Sequence, residues 1–141
     1  MKFIKSNPRL DVTSLNQEDL WKYANETNDC TVRATTIALN KPYKEVHSTF
    51  LKHGRRWGKG VTFITLTAVL KDLTKDKVKM VASDYVKRES LARFIKTHPK
   101  GRYVVVKRGH AFAVIDGVAH DAHESGCGSR SIVKYAYKVG D

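Results

Sequence analysis

The sequence predicts an α+β domain, and three observations carry that prediction. Apolar residues recur at helical spacing through the first two thirds of the chain. From residue 102 onward the pattern changes to short apolar runs and alternation, which is the signature of strands. Between two of those runs stands Asp116-Gly117, a strong signal for a two-residue hairpin. Helices first and an antiparallel sheet afterwards define the class.

Taken in order, residues 1–16 contain Pro8 and read as an irregular segment, and residues 17–23, with Trp21, read as a short helix. Asn28-Asp29 supplies N-cap chemistry for a helix over 30–39, with Val32, Ala34, Ile37 and Ala38 as its apolar positions. Asn40-Lys41-Pro42 breaks that helix, and Pro42 suits the first turn of the next, where Tyr43, Val46, Phe50 and Leu51 recur. Gly54 fits the position just past its end.

Residues 54–60 form a glycine-rich basic loop, and Thr62 caps a third helix through Leu73 with Phe63, Leu66, Val69, Leu70 and Leu73 as its stripe. A strand is expected over 78–82 and a helix over 90–97, ended by Pro99 and Gly101. Strands follow over 103–106, 111–115, 118–123 and 132–139, the last with Val133, Tyr135, Tyr137 and Val139 on one face.

The chain has 141 residues, enough for one domain with its own core and too few for two ordinary ones. Hydrophobic residues make up 41% and charged residues 28%, a soluble globular balance. The N-terminus lacks the apolar stretch of a signal peptide, and no run approaches the roughly 20 apolar residues of a membrane span. The expectation is a cytoplasmic protein with no membrane partner. Two cysteines, Cys30 and Cys127, are too few for a disulfide framework and read as thiols of a reducing compartment, although one Cys30–Cys127 bond stays open.

The net charge of +12, from 26 basic and 14 acidic side chains, biases partners toward nucleic acid or acidic proteins. It is spread along the chain and marks no disordered arm. His120, His123 and Cys127 have a zinc-like spacing, but alternation along a strand sets the two histidines on opposite faces and no fourth ligand stands nearby. No metal or cofactor is expected.

The chemistry concentrates elsewhere. A cysteine at a helix N-terminus meets the positive end of the backbone dipole, which favours the thiolate. Cys30 occupies that position, and His110 opens a strand where an imidazole can act as general base. The Asp116-Gly117 turn fixes a register that pairs Ile115 with Val118, Val114 with Ala119 and Ala113 with His120. His110, Phe112 and Asp121 then share one face, with Asp121 diagonal to His110. That is where a carboxylate orienting the imidazole belongs.

Asn28-Asp29-Cys30-Thr31-Val32-Arg33-Ala34 opening a helix, followed by Gly109-His110-Ala111-Phe112-Ala113-Val114-Ile115-Asp116-Gly117 and a strand carrying Asp121, resembles papain-like cysteine peptidases. The nearest likeness is to small phage-encoded and bacterial members related to the double-glycine leader peptidases. The resemblance implies helices carrying Cys30 packed on an antiparallel sheet carrying His110. It implies Cys30 as nucleophile, His110 as general base and acid, Asp121 as the orienting residue, and a protein or peptide substrate. Papain-like enzymes usually hold a glutamine six residues before the cysteine for the oxyanion; here Ala24 stands there, with Asn25 and Asn28 as nearby substitutes. Arg33, Arg55, Arg56 and Trp57 are candidate substrate or partner contacts. The alternative is an inactive papain-like module binding nucleic acid or an acidic protein through its basic surface.

Overall fold

The structure, a computed structural model, describes residues 1–11 and 15–141. Strands β1 (Lys2–Lys5), β2 (Lys79–Ser83), β3 (Arg102–Lys107), β4 (His110–Ile115), β5 (Val118–Asp121) and β6 (Tyr135–Gly140) form one sheet in the order β1-β5-β4-β3-β6-β2. Five α-helices accompany it: α1 (Gln17–Tyr23), α2 (Cys30–Leu39), α3 (Tyr43–Lys52), α4 (Phe63–Thr74) and α5 (Leu91–Thr97). The α+β class holds.

Two expectations need correction. The sheet is mixed rather than antiparallel, because β1 runs parallel to β5, pairing Phe3 with Ala119 and Ile4 with His120. The segment 1–16 is therefore not irregular throughout: it holds β1 and a 3-10 turn at Pro8–Leu10, while residues 12–14 lie outside the described residues. A four-residue edge strand with lysines at both ends has almost no local signature.

Most helix boundaries follow from local chemistry. Asn16 and Asp19 cap α1 reciprocally, Thr62 Oγ1 accepts from Thr65 N at the start of α4, and Ser90 Oγ accepts from Arg93 N at the start of α5. Asn40 ends α2 in the left-handed conformation, and Arg102 on β3 completes the end by donating to the carbonyls of Ala38 (2.6 Å) and Ile37 (3.1 Å).

The sheet is covered on both faces. Val104, Ala111, Ala113, Tyr137 and Val139 point to the side packed by α2, α3 and α4. Tyr103, Val105, Phe112, Val114 and Ala136 point to the other side, where Leu91 and Phe94 of α5 cover them together with Cys127 and Val133. Val133 was expected on the face of Tyr135, Tyr137 and Val139. It lies on the opposite side because the ladder of β6 begins only at Tyr135; Val133 N–H bonds Glu89 O instead. Among the described residues no helix is long and apolar enough to cross a membrane.

The β4–β5 hairpin forms as the turn chemistry requires. Asp116 and Gly117 have φ of +48° and +78°, and the pairs Ile115–Val118, Val114–Ala119 and Ala113–His120 follow. A second two-residue turn, Arg108-Gly109, joins β3 to β4 and pairs Lys107 with His110. These two turns leave His110 at the first position of β4, at the end of the sheet that faces the start of α2.

Candidate active site

Cys30 is the first residue of α2, and Asp29 before it does not cap the helix. The Asp29 carboxylate instead accepts from Tyr43 Oη (2.8 Å) and pairs with Arg33 (3.2 Å) and Arg9 (3.5 Å). Among the described residues no side chain then accepts from the first-turn N–H groups of α2. They direct the positive end of the helix at the half-buried thiol.

Burial pushes the Cys30 thiol up, but the His110 imidazole, the Ala111 backbone N–H and the Thr31 hydroxyl, its Oγ1 at 4.0 Å from Sγ, outweigh it and set the pKa below the ordinary thiol value. His110 moves the other way. Its Nε2 donates to Asp121 Oδ2, which leaves Nδ1 for Cys30; the carboxylate first, then the sulfur, raise the imidazole to about 9 against the opposing effect of burial. The two opposed shifts describe one coupled pair, each partner favouring the charged form of the other.

Asp121 is buried, which alone would raise its pKa, yet His110, the Ala122 N–H (2.7 Å) and Arg33 (3.9 Å) hold it below the usual carboxylate range. Cys127 lies under the same carboxylate, with Sγ 3.6 Å from Oδ2. Only 1% exposed, this thiol is pushed up to about 12 by burial and by the Asp121 charge. Both cysteines are free. The chain therefore holds one activated and one inert thiol about a shared histidine–aspartate pair.

Gly126 closes this arrangement from the side of the 3-10 turn Glu124–Cys127. A Cβ at that position would lie 2.6 Å from His110 Nε2 and 2.9 Å from Asp121 Oδ2. Nothing in its φ demands glycine; the need comes from the close approach of a neighbouring loop, which sequence pattern does not reveal. Gly126→Ala is expected to push the ring and the carboxylate apart and slow alkylation of the Cys30 thiol by about 10-fold, with the melting temperature nearly unchanged. Iodoacetamide labelling rates beside a thermal melt check it.

The thiol and imidazole open into a cleft of about 630 Å³. The end of β3, the start of β6, the end of β2 and the start of α4 build its walls, with Lys107, Tyr135, Ser83 and Phe63 among the lining residues. Asn25 and Asn28, considered for the oxyanion, do not line it. Asn28 has φ +53° and its amide donates to Gly58 O at 2.8 Å, so this side chain ties the segment before Cys30 to the basic loop. Arg33 stands beside Asp121 and Asp29 and lines a small depression behind His110.

Arg55 corrects the reading of that loop as a contact surface. It is 4% exposed and forms a two-pronged ion pair with Glu26, Nη1 to Oε2 at 3.0 Å and Nη2 to Oε1 at 3.1 Å. Glu26 also accepts from Gly58 N (2.7 Å) and His47 Nε2 (2.5 Å). Arg55 and His47 bring the carboxyl down to about 2 although burial opposes them, and burial keeps His47 neutral. Trp57 stacks on Tyr23 with ring centres 5.6 Å apart and leans on His47, leaving one face exposed. Arg56 remains exposed.

Glu26 and His47 carry no signal in the sequence, since a charged residue in a turn and a histidine on a helix are ordinary. The single signal is Trp57 two residues after Arg55, an aromatic anchor for the loop. Among the described residues no group of three or more His, Cys, Asp or Glu side chains is gathered to hold a metal ion. No protein-family model, curated protein or solved structure matches this chain.

Proposed function

We propose that this protein is a thiol hydrolase of papain-like design, a cysteine peptidase that cleaves a peptide or isopeptide amide through Cys30, His110 and Asp121. The observation carrying the reading is that a half-buried thiol at a helix N-terminus and an imidazole line one cleft, with that imidazole bonded to a buried carboxylate. The lowered thiol and the raised imidazole support the reading, since opposed shifts of this kind suit a base beside a nucleophile.

The Cys30 thiolate attacks the amide carbonyl carbon, forming a C–S bond while the carbonyl electron pair moves to oxygen. The Cys30 N–H and the open first turn of α2 are the donors at hand for that oxyanion. On collapse the C–N bond breaks, and the His110 imidazolium gives its proton to the leaving amine. Neutral His110 then takes a proton from water, which attacks the thioester and releases the acid and the thiolate. Asp121 holds the ring orientation throughout.

Alkylation with iodoacetamide tests the centre without knowledge of the substrate. Cys30 is expected to react near neutral pH far faster than Cys127, and His110→Ala to slow Cys30 by moving its pKa back up. Equal, slow labelling of both thiols would leave only the inactive basic module.

The pH profile has a worked sign. As pH rises through about 9, His110 loses its proton and the leaving amine loses its acid, so turnover falls on the alkaline side. As pH falls through the lowered thiol pKa, the nucleophile is protonated and turnover falls again. Asp121→Asn is expected to bring the alkaline limb to lower pH, because Asp121 is the largest cause of the raised imidazole.

A further inference from the structure

The cleft has a direction. His110 is the first residue of β4, Lys107 the last of β3, Tyr135 the first of β6 and Ser83 the last of β2, so it runs across one end of four adjacent strands. Three strand spacings amount to about 14 Å, which an extended peptide covers in about four residues. Cys30 and His110 stand at one end of this path, and the turn after β2 at the other.

The two sides of the path differ in chemistry. One carries Phe63, Met80 and Tyr135, with Phe63 and Met80 partly exposed and Phe63 edge-on to Tyr135 at 5.0 Å. The other passes into an adjoining depression that shares Asp84, Lys107 and Lys134 with the cleft and adds Arg88 and Arg108. That is four cations against the single carboxylate of Asp84. Arg88, Arg108 and Lys134 are exposed and make no ion pair among the described residues, and Lys107 bonds only the Ser131 hydroxyl at 3.2 Å. Tyr85, 98% exposed, stands at the far end.

Resting on the hydrolase reading, we propose that the substrate is an acidic peptide segment. It lies across the ends of β4, β3, β6 and β2, sets a large apolar side chain against Phe63, Met80 and Tyr135, and presents carboxylates to Lys107, Arg108, Lys134 and Arg88 within about four residues of the scissile bond. A polypeptide fits better than a nucleic acid because the basic depression shares its walls with the cleft of a nucleophile that needs a carbonyl carbon.

The test is a set of internally quenched peptides that carry Phe or Leu near the scissile bond and Glu, Gln or Lys at the two positions beyond it. At low salt the Glu peptides are expected to show a KM about tenfold or more below that of the Lys peptides, with the gap closing as salt rises. Arg108→Glu with Lys134→Glu should reverse the order, whereas Lys2→Glu on the opposite sheet edge should not. Cleavage with no discrimination, or discrimination unchanged in the double variant, overturns the acidic-substrate proposal and leaves the hydrolase. Rapid alkylation of Cys30 that a homopolymeric oligonucleotide blocks better than any Glu peptide overturns it in favour of nucleic acid. Equal, slow labelling of both thiols removes the hydrolase reading itself.

Discussion

Cys30→Ala and His110→Ala are each expected to lower kcat/KM by about ten-thousand-fold, and the double variant by little more. The near-equality is the informative part. Without the imidazole the thiol loses what depresses its pKa, and without the thiol the imidazolium has no tetrahedral intermediate to protonate, so either loss disables the same acylation step. Independent contributions would instead multiply. The folded state should tolerate Cys30→Ala well, since the thiol is half-buried and the change removes only one sulfur. A melting temperature within a few degrees of the parent, beside the kinetic collapse, separates a chemical loss from a folding loss. Parent-like turnover in Cys30→Ala would exclude the thiol from the chemistry altogether.

Local chemistry made the centre of this molecule legible. The start of α2 lies at Cys30 as Asn28-Asp29 suggests, although Asp29 does not cap it, and the hairpin register follows from Asp116-Gly117 and sets Asp121 beside His110. Each of those inferences uses neighbours within a dozen residues. What escaped depends on distant pairing. The β1–β5 ladder joins residues more than a hundred positions apart, and nothing in Lys2-Phe3-Ile4-Lys5 announces its partner. Val133 changes face because the chain between Ser131 and Tyr135 bonds Glu89 and Val106 rather than continuing the ladder. Asp29 looked like a cap and is a hub for Tyr43, Arg33 and Arg9, which is what leaves the helix end open for chemistry. Arg55 looked solvated and is buried, since the partner that draws it in lies 29 residues away. Charge identity can be read from sequence; charge burial cannot.

That buried pair sets the largest stability effect in the chain. Glu26→Ala removes the counter-charge of Arg55, whose side chain is fully enclosed, and strips acceptors from His47 and from Gly58 N–H. Losing one partner of such a pair costs about 3–5 kcal/mol, a large share of the 5–15 kcal/mol that typically holds a domain together. Chemical denaturation should report that loss, and the melting temperature should fall by about 10 °C. Arg55→Met combined with Glu26→Ala should recover part of it, because the stranded cation is then gone. The same network predicts acid sensitivity with a defined sign. His47 has its pKa lowered, so the unfolded chain gains a proton first and stability begins to decline as pH falls through 6.5. Glu26 adds a second decline between 4.5 and about 2, where the unfolded carboxyl protonates before the folded one. The Glu26 decline should vanish in the double variant, whereas the His47 decline should persist, because burial still lowers the imidazole and the carboxylate that opposes burial is gone. Residues 26–29 lead directly into Cys30, and the loop held by Arg55 leads into the cleft wall at Gly60 and Thr62. Glu26 thus connects stability to the position of the nucleophile, and Glu26→Ala should lower kcat even at temperatures where the protein remains folded.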